Sequence, residues 1–233
     1  MMLRSLLLPV ALLVSAPVFA QGEAAAPKGQ LEVPDFRGVA VSHGIHAEVK
    51  AGAKSVRLEG SPDDLARVKL EVKDGVLTTQ VDKGSWFSKG LKNVRLYVTN
   101  PRVESVAASG GSHVDAEATR SDTFQVAASG GSELSITGVD AKKAEIHASG
   151  GSELSLSGRT GELEVQGSGG SVIEAQKLQA ESLDVNASGG TRVEAAPERS
   201  INGNLSGGST VKAAKKPQSV QVNSSGGSQV IYP

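Results

Sequence analysis

Val126-Ala127-Ala128-Ser129-Gly130-Gly131-Ser132-Glu133-Leu134-Ser135-Ile136 is one copy of a phrase that the chain carries seven times between residues 106 and 232. Its centre is (Ala/Ser)-Ser-Gly-Gly-(Ser/Thr) in the clearest copies. The first glycines, Gly110, Gly130, Gly150, Gly169, Gly189, Gly207 and Gly226, follow one another at intervals of 18 to 20 residues. Self-similarity at that period marks stacked repeats, each too small to bury its own apolar face. With the first glycine as position 0, positions −6, −4 and −2 are apolar or small, as in Phe124-Val126-Ala128 and Leu183-Val185-Ala187. Positions +4 and +6 behave alike, as in Leu134-Ile136 and Val193-Ala195. Period-two alternation on both sides of a Gly-Gly pair makes each repeat two strands meeting at a sharp bend. The expected fold is all-β: a parallel β-helix (β-solenoid) of about seven coils of 18–20 residues.

The residue choices at the bend follow from stacking. A column of identical bends needs a residue that accepts positive φ at every level, and glycine does so without steric cost. Serine fills position −1 in every copy, from Ser109 to Ser225, so a ladder of hydroxyls at the ~4.8 Å strand spacing is expected there. Asn186, Asn204 and Asn223 at −3 form a second expected ladder, on a face open to a ligand. The variation in repeat length belongs between +7 and −7, where composition is polar and irregular, because an insertion within a strand would turn its apolar set outward. Leucine-rich and propeller repeats lack a match here, as does the calcium-binding nonapeptide roll, which has a shorter period and an aspartate after its glycines.

Ahead of the repeats, residues 1–20 read as a secretory signal: Arg4, the apolar run from Leu6 to Val14, and Val18-Phe19-Ala20 before Gln21. The run is too short for a membrane span, which needs ~20 residues. Export to the periplasm or the extracellular space is expected. Residues 21–33 read as a flexible lead-in. Residues 34–105 alternate in short strands and are expected to cap the solenoid, with one short helix starting at Ser61-Pro62-Asp63-Asp64. Val230-Ile231-Tyr232-Pro233 is expected to close the other end, and exposed strand edges leave room for a homo-oligomer. In the polar loop before Val94, Trp86 and Phe87 either contact a ligand or fold back to plug the core.

Composition narrows the function classes. There is no cysteine, which excludes disulfides, thiol chemistry and a lipidated N-terminal cysteine. Without Arg4 the chain carries 23 basic and 25 acidic residues, a balance that argues against nucleic acid or a membrane surface as partner. Aromatic residues are only 3% of the chain, so the core must be built from Val, Leu, Ile and Ala.

Val94-Arg95-Leu96-Tyr97-Val98-Thr99-Asn100-Pro101, then Val106-Ala107-Ala108-Ser109-Gly110-Gly111-Ser112, then Ser-Gly-Gly corners every 19 or 20 residues: together these resemble the head domain of auto-transporter adhesins, a family first described as a domain of unknown function. The resemblance covers about residues 34–233 and implies a secreted or envelope-located parallel β-helix with an adhesion role. It supplies no catalytic residues. The sequence reaches Pro233 without a membrane-barrel region, so attachment to a surface is expected to need a partner.

Outward positions are where chemistry would sit. Glu145, Glu164 and Asp184 share position −5 in three successive coils, and stacked carboxylates either raise one another's pKa or recruit a cation, here calcium. The plainer reading is a solvated acidic face offset by Lys142 and Lys143. His113, Glu133 and Glu153 share position +3, with Asp115 nearby, and an acid pair in such a column is the raw material of a glycan-cleaving enzyme. His43 and His46 lack a third ligand in sequence reach, so they read weakly as a zinc site. No phosphate loop, nucleophile elbow or metalloprotease helix occurs, and no cofactor is expected. The leading expectation is an exported, non-enzymatic β-solenoid that binds a cell-surface glycan or an envelope protein. A carbohydrate-active β-helix enzyme and a periplasmic structural or stress-related protein are the alternatives.

Overall fold

In the computed structural model, which describes residues 30–82, 91 and 93–233, the alternating apolar positions form strands stacked in parallel register. The elements are β1 (Gly38–Val41), β2 (His46–Ala51), β3 (Ser55–Glu59), α1 (Pro62–Leu65), β4 (Val68–Lys73), β5 (Val76–Val81), β6 (Arg95–Asn100), β7 (Ser105–Ala108), β8 (His113–Glu117), β9 (Ser121–Ala128), β10 (Glu133–Ala148), β11 (Glu153–Gly167), β12 (Val172–Ala187), β13 (Arg192–Leu205), β14 (Thr210–Ala213), β15 (Ser219–Ser224) and β16 (Gln229–Ile231). Before the glycine corner the stack runs β5, β1, β7, β9, β10, β11, β12, β13, β15. After the corner it runs β6, β2, β8, β10, β11, β12, β13, β14, β16. The fold is a β-solenoid of about six turns, since seven glycine corners bound six complete coils.

Equivalent positions lie one above another: Leu134 pairs with Leu154, Ile136 with Leu156, and Ala144 with Leu163. The inward columns are buried as far as β14 and half-buried at Val220, Val222 and Val230 in the last coil, with Phe124 and Phe36 the aromatic rings among the buried hydrophobics. Each coil has more sides than the two expected. In β12 the buried positions are Ile173 and Ala175, then Leu178 and Ala180, then Leu183, Val185 and Ala187. Buried parity changes twice, and the pairing with β13 shifts register at those two places. Side chains alternate strictly along a strand, so each change of parity is a corner. With the Gly-Gly bend this makes three sides per coil. The segment between +7 and −7 is therefore strand and core, not an irregular loop; β10 to β13 run 14 to 16 residues through it.

The Gly-Gly bend is constrained twice. At its first position φ is +65° in Gly150, and a Cβ there would lie 3.1 Å from the backbone nitrogen of Gly130 in the coil beside it. At its second position φ is +77° in Gly151, but a Cβ would meet nothing within 4 Å. The serine that closes the bend is the one at +2. Ser112, Ser132, Ser152, Ser171, Thr191 and Ser209 are all at most 1% exposed. Their hydroxyls donate across the bend, as from Ser171 Oγ to the Ser168 carbonyl at 2.9 Å and from Thr191 Oγ1 to the Ser188 carbonyl at 2.8 Å. Ser132 Oγ also reaches the Ala108 carbonyl of the neighbouring coil at 3.0 Å. The hydroxyl ladder expected at −1 does not form among the described residues; of that column, Ser225 Oγ donates instead to the Leu205 carbonyl. The inward direction at +2 explains the difference, because a hydroxyl there is buried and must find a partner.

The stack extends into the N-terminal region. Ser42-His43-Gly44 makes a corner like the others, with φ of +65° at His43 and +72° at Gly44, and Ser109 N donates to the Val41 carbonyl at 2.9 Å. Beyond it, β5 and β6 stack in parallel on β1 and β2. Antiparallel strands end the series there, β4 against β5 and β3 against β6. Helix α1 starts as its sequence dictates, with Pro62 in the first turn and Ser61 Oγ accepting from Asp64 N. Buried Asn100 ties the crossing to the next coil, its Nδ2 donating to the carbonyls of Phe36 at 2.9 Å and Arg102 at 2.5 Å. At the far end, Val230 is half-buried while Ile231 and Tyr232 are 43% and 38% exposed, so this segment lies along the last coil without sealing it. The signal expectation for residues 1–20 and the lead-in expectation for residues 21–29 lie outside the described residues, while residues 30–33 of the lead-in run beside β3, with Leu31 N donating to the Val56 carbonyl at 2.8 Å.

Two comparisons test the corner. Gly151→Ala should cost about 1–2 kcal/mol, the left-handed backbone penalty alone, and Gly150→Ala at least twice as much, read from urea unfolding. Ser132→Ala removes the donor to the Ser129 carbonyl and should lose about 1–3 kcal/mol, whereas Ser129→Ala should stay close to wild type.

Candidate functional site

In-register stacking turns every outward position into a column that runs along the solenoid. The column at −3 is Thr78, Ala40, Ala107, Ala127, His147, Gln166, Asn186, Asn204 and Asn223. Its asparagines form the expected ladder: Asn204 Nδ2 donates to Asn186 Oδ1 at 3.0 Å, and Asn223 Nδ2 to Asn204 Oδ1 at 3.2 Å. Asn186 Nδ2 lies 3.4 Å from Asp184 Oδ1. Where the same column holds alanine, the surface is recessed. Ala40, Ala107 and Ala127, with the serines of −1, line an open groove of about 840 Å³ that ends at His147, Gln166 and Asn186 on one side and His43 and Thr78 on the other. Its lining contains no Lys, Arg, Asp or Glu. Trp86 and Phe87 lie outside the described residues.

The column at −5 brings Gln125, Glu145, Glu164 and Asp184 into register. Lys143 stands over its middle, with Nζ 3.1 Å from Glu145 Oε1 and 2.7 Å from Glu164 Oε2. Gln125 Nε2 donates to Glu145 at 3.1 Å and Gln166 Nε2 to Glu164 at 2.9 Å. These bonds reverse the effect expected of stacked carboxylates. The Gln125 amide and then Lys143 hold Glu145 below its ordinary 4.5, and Lys143 followed by Gln166 does the same for Glu164. Lys143 is raised in turn, by Glu164 and then Glu145. A lysine thus supplies the positive charge that the calcium reading sought at Glu145 and Glu164. Carboxyls held ionised in this way are poor general acids.

The columns at +3 and +5 hold the second group of titratable residues. Arg95, His46, His113, Glu133 and Glu153 follow one another at +3, and Tyr97, Glu48, Asp115 and Ser135 at +5. The sequence separated His46 from His113 by 67 positions, and the pairing of β2 with β8 sets them directly opposite, rings stacked at 4.5 Å. His43 is not their partner: its Nδ1 is 2.6 Å from Ser42 Oγ, and it lines the groove on another face. His46, His113 and Asp115 each offer one ligand atom, and these atoms all lie within 4.8 Å of one another. The signal was present in the sequence, because Val41-Ser42-His43-Gly44-Ile45-His46 aligns with Ala108-Ser109-Gly110-Gly111-Ser112-His113 once the first is taken as a coil. Further along the same face Lys212 approaches Glu194 at 3.8 Å, a surface pair of small energetic value.

The Lys143 cluster carries a pH signature. Folded-state carboxyls held below their unfolded pKa stabilise the protein above about pH 4.5 and lose that contribution as pH falls through the folded values. Lys143→Met should lower the urea midpoint at pH 7, less so in 1 M salt, and the difference from wild type should shrink as the pH is taken below about 4.5.

Among the described residues no helix is long and apolar enough to cross a membrane. No curated protein matches the chain. Among solved structures, it is similar to a putative adhesin from Bacteroides fragilis, at 17% identity over 86% of this chain and 94% of that one, with a TM-score of 0.80. A putative lipid binding protein from Parabacteroides distasonis aligns at 11% identity over 87% of this chain and 95% of its own, TM-score 0.64. A putative adhesin from the same species aligns at 16% identity over 87% and 95%, TM-score 0.59. At these identities the likeness is one of fold. The sequence itself matches a family model over residues 35–217, and the chain belongs to that family, the putative auto-transporter adhesin, head GIN domain.

Proposed function

We propose that the protein is an exported, adhesin-like binding module whose groove over Ala40, Ala107 and Ala127 holds a neutral, linear glycan of the cell surface. The observation that carries this reading is the lining of the groove. A strip of methyl groups is flanked by the hydroxyls of Ser109, Ser129 and Ser149 and ended by His147, Gln166 and Asn186, with no charged carboxylate, ammonium or guanidinium group along it. Hydroxyl and amide groups at strand spacing repeat along the groove as donors and acceptors do along a polysaccharide, and a polyanion would find no counter-charge there. Its volume of about 840 Å³ suits several sugar units. Membership in an adhesin family supports surface binding over catalysis, and Glu133 and Glu153 lie on a different face from the groove. The terminal segment 1–20 supports export.

The test is a glycan array followed by titration calorimetry with the best neutral polysaccharide. Ala127→Trp should fill the groove and weaken binding at least tenfold, while Glu174→Gln, on the other face, should leave it unchanged. Capture of an envelope protein that Ala127→Trp also abolishes would replace the glycan with a polypeptide. Failure of the wild-type protein to bind any surface glycan or envelope fraction would remove the adhesin reading.

A further inference from the structure

We propose that His46, His113 and Asp115 form a binding site for one divalent transition-metal ion of the zinc class, with Glu133 as the group that orients His113. The site lies on the +3/+5 face and is independent of the groove. Its geometry starts from the sheet. His46 and His113 are directly opposite in the β2–β8 pair, and Asp115, two residues along β8, points to the same side. His46 Nε2 is 3.7 Å and His113 Nε2 3.2 Å from Asp115 Oδ2. A tetrahedral ion with bonds of ~2.0–2.1 Å has ligand atoms about 3.3–3.4 Å apart. The two measured separations bracket that edge.

The hydrogen bonds around His113 point the same way. Its Nδ1 lies 3.0 Å from Glu133 Oε2, and the neutral tautomer that carries its N–H on Nδ1 donates there. That tautomer leaves the Nε2 lone pair facing Asp115 Oδ2 at 3.2 Å, two acceptors that a cation can join. A cation in that position satisfies Nε2, Asp115 and His46 together. A carboxylate behind the distal ring nitrogen is the arrangement that fixes tautomer and ring orientation at metal-bound histidines.

Charge and space are compatible with an ion. Asp115 and Glu133 provide two negative charges. Of the positive groups near the site, Arg95 is in register with His46, the Lys50 ammonium is 2.5 Å from Glu48, and Arg57 lies over the Tyr97 ring and pairs with Glu59. A cleft of about 40 Å³ lined by His46, Glu48, Arg95, Leu96, Tyr97 and Asp115 lies beside the three ligands, on the side of His46 and Asp115, with room for a water. Two imidazoles with one carboxylate select zinc, nickel or copper over calcium and magnesium, which prefer all-oxygen shells. The side chains are 31–49% exposed, so a bound ion exchanges with solvent and the site needs no opening motion.

The test uses untagged protein stripped with chelator, because a histidine tag would itself take up the metal. Titration with zinc sulfate at pH 7.5 should give one equivalent of uptake, absent with calcium chloride and lost at pH 5, where the ligands compete with protons. His46→Ala and His113→Ala should each weaken uptake at least tenfold, and Glu133→Gln about 10–100-fold. Nickel added to wild type should broaden the ring signals of His46 and His113 selectively, a readout that does not depend on the variants folding. No uptake by wild type, equal uptake by His113→Ala, or ring signals unmoved by nickel would overturn the site and leave a proton-mediated His–Asp contact in its place.

Discussion

Backbone meeting backbone at the glycine corners is the constraint on which the solenoid depends. At the first glycine of each corner the space for a Cβ is already taken by the backbone nitrogen of the coil alongside, at 2.8 to 3.2 Å from Gly130 through to Gly226. The corner must therefore be glycine twice over, for conformation and for room. At the start of the series His43 serves instead, with the same positive φ. Once corners stack this closely, the flanking strands have no freedom in register. The inward columns of Val, Leu, Ile and Ala follow, and a protein with almost no large rings still buries a continuous core. The buried Ser/Thr at +2 completes the bend by satisfying carbonyls that the turn would otherwise leave without a donor.

The same register dictates the surface chemistry. Any side chain repeated at an outward position meets its own kind at strand spacing, and the consequence depends on what that side chain is. Asparagines stack into an amide ladder, each donating to the next. Carboxylates at −5 would repel, and Lys143 enters the column to bridge Glu145 and Glu164. Imidazoles stack face to face and direct nitrogens at one carboxylate. Alanine leaves a recess, and three in succession make the groove. A repeat protein of this kind writes its binding properties by changing one residue per coil in a fixed column, with no cost to the core.

These columns also separate two surfaces that a linear reading joins. His43 and His46 are three residues apart and face different ways, because the corner lies between them; one ends the groove and the other joins His113. The neutral groove lies on the face before the corner and the His46–His113–Asp115 group on the face after it, so binding of a polymer and binding of an ion need not compete for space.

Much was legible in the sequence because a solenoid converts periodicity directly into structure. The seven Ser-Gly-Gly phrases and the alternation around them determined the parallel coils, the inward residues, the asparagine ladder and the membership of −5 and +3 in columns. Parity between +7 and −7 was legible too, in Val139, Leu178 and Ala180, but the polar residues among them hid the third side of each coil. What only the tertiary structure decided were contacts between coils that the repeat phrase does not number: β2 lying beside β8, which brings His46 to His113; the reach of Lys143 from its own strand to Glu164 on the next; and the recess over the alanines. The physical reason is that a one-dimensional repeat specifies what stacks on what only once each coil is identified, and the coil formed by residues 38–51 carries histidine where the others carry glycine.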